Sequence, residues 1–161
     1  MDESSASRLR RSLLQGAAGL PLLTLLGSGL LIPRRVLAAE WNRTAFTARN
    51  LADALRASGA SAATDTRDIA ITAPEIAENG AKVEVEISSR LADTRSLAVF
   101  AEKNPLPLCA TLDFAEGVLP YVRIQLKLAE STRLRVVART GDGRHHLAWR
   151  EVKVTLGGCG A

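Results

Sequence analysis

Tyr121-Val122-Arg123-Ile124-Gln125-Leu126-Lys127-Leu128 decides the fold class. Val122, Ile124, Leu126 and Leu128 fall on every second position, with Arg123, Gln125 and Lys127 between them. That is the period of a strand with one buried and one wet face. Working outward, Lys82-Val83-Glu84-Val85-Glu86-Ile87 alternates just as strictly, after a Glu78-Asn79-Gly80 turn. Asp68-Ile69-Ala70-Ile71-Thr72-Ala73 does the same and stops at Pro74. Further strands are expected at 97–100, 108–114, 132–140 and 146–156. They are punctuated by Asn104-Pro105-Leu106-Pro107, Glu116-Gly117 and the hairpin signal Gly141-Asp142-Gly143. Seven short strands at roughly 8–12-residue spacing, with no helix between them, predict an all-β, immunoglobulin-like antiparallel β-sandwich. A small closed barrel fits the same pattern.

Ahead of the strands, residues 41–57 carry Phe46, Leu51 and Leu55 among Ala, Arg and Asp. This predicts one short amphipathic helix ended by Ser58-Gly59, with 60–67 as a linker. The first 39 residues read differently. Arg8, Arg10 and Arg11 precede an uncharged, Leu-, Gly- and Ala-rich stretch from Ser12 to Ile32, and then come Pro33-Arg34-Arg35 and Val36-Leu37-Ala38-Ala39. A charged segment, an apolar segment and a small-residue cleavage site in that order make an export signal. The adjacent Arg10 and Arg11 point to the twin-arginine route and a periplasmic destination. An uncleaved membrane anchor is the alternative, since roughly 20 apolar residues span a bilayer. The expected organisation is a signal over 1–39, helix and linker over 40–67, sandwich over 68–156 and a C-terminal arm over 157–161.

The chain has 21 basic and 17 acidic residues, but removing the signal leaves 16 against 15. The sequence pI near 9.6 therefore belongs mostly to the targeting segment. With no basic run left and only 4% aromatics, nucleic-acid binding has little support. After signal cleavage nothing suggests a membrane partner either. Twin-arginine export carries folded cargo, which usually holds a cofactor or an attached subunit. The mature sequence has no metal motif, no Gly-rich phosphate loop and no haem site, so a partner subunit is the expected reason to fold first.

Groups able to do covalent chemistry are scarce: two Cys, two His and one Tyr. Cys109 lies in the apolar run Leu108-Cys109-Ala110-Thr111-Leu112 and reads as a core residue. His145 and His146 are strand neighbours that point to opposite faces and cannot easily share a metal. Asp142 reads as a turn residue. No carboxylate pair and no Ser/His/Asp arrangement stands out, so no catalytic residue is assigned.

Cys159 differs from all of these. It lies beyond the last strand in Gly157-Gly158-Cys159-Gly160-Ala161. Flanking glycines make the backbone permissive and the segment slender. Fully extended, the four residues after Thr155 span about 14 Å. Activated cysteines sit beside cations or at helix N-termini. Here the nearest cation in sequence is Lys153, and the terminal carboxylate is close. The thiolate fraction near pH 7 should be a few per cent or less, which suits a thiol that is worked on by other proteins. A tail cysteine that merely pairs with Cys109 or with another chain is the alternative.

The tail Gly157-Gly158-Cys159-Gly160 resembles the C-terminal Gly-Gly-Cys-Gly-Gly arm of the SoxY family, the sulfur carriers of bacterial thiosulfate oxidation. Ala73-Pro74-Glu75-Ile76-Ala77-Glu78-Asn79-Gly80-Ala81, Lys103-Asn104-Pro105-Leu106-Pro107 and Val152-Lys153-Val154-Thr155 also resemble runs of that family, in order. The resemblance implies a periplasmic immunoglobulin-like domain without a cofactor of its own, paired with a SoxZ-like subunit. It implies that Cys159 is the covalent attachment point for thiosulfate-derived sulfur, and that Gly157, Gly158 and Gly160 keep the arm slim. A c-type cytochrome, a manganese hydrolase and a sulfane dehydrogenase are the partner enzymes it implies. Ala161 departs from the family's terminal Gly.

Two other readings stay open at this point. One is a periplasmic immunoglobulin-like chaperone or metal-delivery module using Cys159 with His145 or His146, a soft thiolate–imidazole pair. The other is a binding domain dimerised through its cysteine.

Overall fold

A computed structural model describes residues 41–157; the segment expected to be an export signal, with Arg10 and Arg11, lies outside them. Two helices open the described chain, α1 (Arg43–Thr47) and α2 (Leu51–Ala57). The single helix expected over 41–57 is broken because two asparagines each start one. Asn42 Oδ1 accepts from Ala45 N at 3.0 Å and Asn50 Oδ1 accepts from Asp53 N at 2.9 Å, satisfying N–H groups that helix starts leave unpaired. Between them Ala48 is extended, at ψ 134. Asn42 Nδ2 also donates to Ala57 O at 2.7 Å, closing the pair into a hairpin. Gly59, at φ 71, ends it.

Nine strands follow: β1 (Thr64–Asp65), β2 (Ile69–Thr72), β3 (Ile76–Asn79), β4 (Val83–Ser89), β5 (Thr94–Ala101), β6 (Leu108–Asp113), β7 (Tyr121–Leu126), β8 (Thr132–Thr140) and β9 (His145–Leu156). They form two sheets, β1-β9-β8-β5-β6, with β3 also on β9, and β2-β4-β7. The expected immunoglobulin-like sandwich is therefore the fold, and a closed barrel is not.

The two strands beyond the expected seven share one edge of β9. β1 pairs parallel with it at Thr64↔His146, and β3 pairs parallel further along, from Ile76↔Lys153 to Asn79↔Leu156. Residues 60–67 are thus not only a linker, and Glu78-Asn79 belongs to a strand before it turns. Between the two pairings the chain crosses to the other sheet as β2, and Arg150 Nε donates to Ala73 O at 3.1 Å across the gap. Twelve-residue β9 is long enough to serve both, at about 3.3 Å per residue.

Alternation sorts side chains into two cores. Val83, Val85 and Ile87 of β4 meet Leu97, Val99, Leu134, Val136 and Val152 between the sheets. On the outer face of the larger sheet, Phe100, Leu108, Val137 and Leu147 pack against Ala45, Ala54 and Ala60. Adjacent Val136 and Val137 serve opposite cores, as a period of two requires. Each such side chain taken fully out of water contributes about 1.5–3 kcal/mol. Among the described residues no buried side-chain nitrogen or oxygen lacks a partner.

Candidate functional site

Residues 157–161 follow β9 in the sequence, and the end of that strand is fixed by backbone. Gly80 N donates to Leu156 O at 2.7 Å, and Leu128 N donates to Gly80 O at 2.7 Å. Ser131 extends the hold: its Oγ accepts from Val154 N at 2.9 Å. Gly157, the last described residue, lies against residue 129. A β-carbon built on it would stand 2.4 Å from Ala129 O, well inside any tolerable contact. Gly157 thus has a packing reason to lack a side chain, besides the conformational freedom expected of it.

Asn104 fastens the segment under that glycine. Its Oδ1 accepts from Ala129 N at 2.9 Å and its Nδ2 donates to Lys127 O at 2.8 Å. The same Nδ2 stands 3.8 Å from Cys109 Sγ, and Sγ lies 3.5 Å from Pro107 O. Sequence reading took Asn104 only as part of a Pro-rich turn. Nothing local shows that it clamps a strand exit 25 residues away.

Cys109 corrects an expectation. It is half-buried, not enclosed in the core. It lines a cleft of about 370 Å³ together with Asn104, Pro105, Leu106, Gln125, Leu126 and Lys127. The cleft runs between β6 and β7, which end the two sheets, and among the described residues no further strand pairs beyond either of them. Side chains at such an open seam stay partly accessible however apolar the surrounding sequence.

His145 and His146 are both half-buried on β9. Burial pushes the His145 imidazole below its ordinary pKa, with the Arg139 and His146 charges acting the same way. Asp142 is the turn residue it was read as. Its carboxylate accepts from Thr140 Oγ1 at 2.5 Å, Arg144 N at 3.1 Å and Arg144 Nε at 2.6 Å. Those bonds, the Thr140 hydroxyl first, hold it well below the usual carboxylate range. Gly143, at φ 81, completes the turn. Among the described residues no three His, Cys, Asp or Glu side chains gather as a metal site. No helix among them is long and apolar enough to cross a membrane. Gly158, Cys159 and Gly160 lie outside the described residues.

The model of the family described as sulfur oxidation protein SoxY matches residues 55–159. The solved structure of the sulfur carrier protein SoxY from Chlorobium limicola f thiosulfatophilum is 36% identical, with a TM-score of 0.61, over 68% of this chain and 96% of that one. Superoxide reductase (neelaredoxin) from Ignicoccus hospitalis is 24% identical with a TM-score of 0.47, over 55% of this chain and 81% of that one. No curated protein sequence matches. The family match spans most of the chain and ends at Cys159, and the Chlorobium structure is covered almost whole. On those two findings the chain belongs to the SoxY family of sulfur oxidation proteins.

Proposed function

We propose that this protein is a non-catalytic carrier that holds thiosulfate-derived sulfur covalently on Cys159 and presents it to partner enzymes. The observation that carries the reading is the run Gly157-Gly158-Cys159-Gly160 directly after the last strand of a SoxY-family domain. Arg10-Arg11 ahead of the apolar segment support export to the periplasm by the twin-arginine route. A SoxZ-like subunit is the proposed companion in that export.

The chemistry asked of the thiol is simple. Cys159 sulfur and the outer sulfur of thiosulfate form a disulfide bond, losing the thiol proton and giving two electrons to a c-type cytochrome. A manganese hydrolase then adds water across the bond between sulfane and sulfonate. Sulfate leaves and a persulfide remains on Cys159. A sulfane dehydrogenase oxidises that remaining sulfur further. Each enzyme brings its own active site, so the carrier needs only a thiol on a thin, permissive backbone. Weak activation fits this division of labour, because a low thiolate fraction limits stray reactions between enzymes.

The test is Cys159→Ser in a reconstituted system with purified partner enzymes. Thiosulfate-dependent cytochrome reduction should vanish while the domain's unfolding midpoint stays unchanged. Retained turnover would overturn the assignment.

A further inference from the structure

Asn79-Gly80 stands where β3 meets the end of β9, and it is the one Asn-Gly pair in the chain; the other three asparagines precede Arg43, Leu51 and Pro105. An asparagine before glycine is open to attack by the next backbone nitrogen on its side-chain carbonyl carbon. Glycine has no β-carbon to obstruct that approach and lets the peptide rotate. Asn79 is exposed, so solvent water and base reach its side chain. The groups that must move for the reaction are nevertheless held. Gly80 N, the attacking atom, donates to Leu156 O at 2.7 Å, and Gly80 O accepts from Leu128 N at 2.7 Å. Asn79 Oδ1 accepts from Ala81 N at 2.8 Å, which ties the side chain into the turn. Asn79 also closes β3, in register with Leu156.

We propose that Asn79 is a deamidation site that the end of β9 keeps latent, and that local opening of that strand end releases it. The steps need only water and solvent base. When Leu156 O lets go, Gly80 N gives up its proton and bonds to Asn79 Cγ. The Cγ–Nδ2 bond breaks, and Nδ2 leaves as ammonia after taking a proton back from solvent. The cyclic imide that remains takes up one water. Opening on the Cγ side gives aspartate, and opening at the backbone carbonyl gives isoaspartate, whose main chain runs through the former side chain. No electrons are transferred. Either product adds a negative charge. Isoaspartate also adds a methylene carbon to the backbone where Asn79 pairs with Leu156, so the old register cannot close again. A transient opening thereby becomes a lasting one. That this would unsteady the base of a carrier arm rests on the carrier reading; the modification itself does not.

The test is a peptide map of the full chain after incubation at mildly alkaline pH, reading amide-to-acid conversion and isoaspartate at residue 79. It compares folded wild type, guanidinium-unfolded wild type, Ser131→Ala, Gly157→Ala and Val136→Ala. In the unfolded chain Asn79 should convert ahead of the other asparagines. Folded wild type should convert at least about tenfold more slowly, because two backbone hydrogen bonds must open first. Ser131→Ala removes the acceptor for Val154 N and Gly157→Ala crowds Ala129 O, so both should quicken conversion in the folded chain. Val136→Ala weakens the buried core away from that strand end and should convert at the folded wild-type rate. Folded wild type converting as fast as the unfolded chain would overturn the proposal, as would Val136→Ala quickening as much as the two strand-end variants. The map is read without any sulfur substrate, so failure here leaves the carrier assignment standing, and failure there leaves Asn79 as it is.

Discussion

Gly157 lies so close to the carbonyl of Ala129 that a β-carbon on it would stand 2.4 Å from the oxygen. A backbone oxygen cannot swing aside as a side chain would, so the strand end itself must move. Gly157→Ala should therefore lift the last residues of β9 away from Gly80 and destabilise the domain by about 1 kcal/mol or more. Amide exchange should quicken first at Gly80, whose N–H donates to Leu156 O, and then at Leu128, whose N–H donates to Gly80 O. The alanine variant exchanging at wild-type rates would show that the root is not anchored this way.

Asn104 offers a second point of attack on the same anchor. Asn104→Ala leaves Ala129 N and Lys127 O without their side-chain partner, at a cost of about 1–3 kcal/mol in urea unfolding. Asn104→Asp keeps the acceptor for Ala129 and loses the donor, so it should fall between wild type and alanine. Equal stability of all three proteins would deny the clamp.

His145 gives the domain a pH dependence of predictable sign. Its folded pKa is depressed, chiefly by burial, so between that value and about 6.5 the unfolded chain binds more protons. Stability contributed by the neutral imidazole is present above about pH 6.5 and declines as pH falls through the folded pKa. Because the ring is only half-buried, the slope should be shallow. His145→Gln should flatten it in urea melts taken from pH 7 down to pH 5. An unchanged slope in the variant would assign it to other groups.

The sandwich was legible because its central strands obey a local rule. Val83, Val85 and Ile87 alternate with charged residues, and Thr132–Thr140 matched to the residue. The parallel strands β1 and β3 were not legible. Each gains its place only by pairing with the far edge of β9, and Ile76 of β3 is largely exposed, so no buried periodicity marks it. The helix break was present in the sequence as Asn50, an N-cap residue inside an apparently continuous pattern. Cys109 was misjudged because an apolar run says nothing of whether its strand faces a closed core or an open seam. Cys159 stood out by the opposite signal, a glycine on either side in the sequence.

The central claim is that sulfur rides on Cys159, and the intact mass of protein purified from the periplasm of thiosulfate-oxidising cells tests it most directly. The account predicts a ladder of sulfur and thiosulfonate adducts that reductant removes and that maps to the peptide bearing Cys159. Cys159→Ser should show none, with Cys109 unmodified in both proteins. Bound copper or zinc in place of sulfur, or adducts of equal abundance in the serine variant, would contradict it.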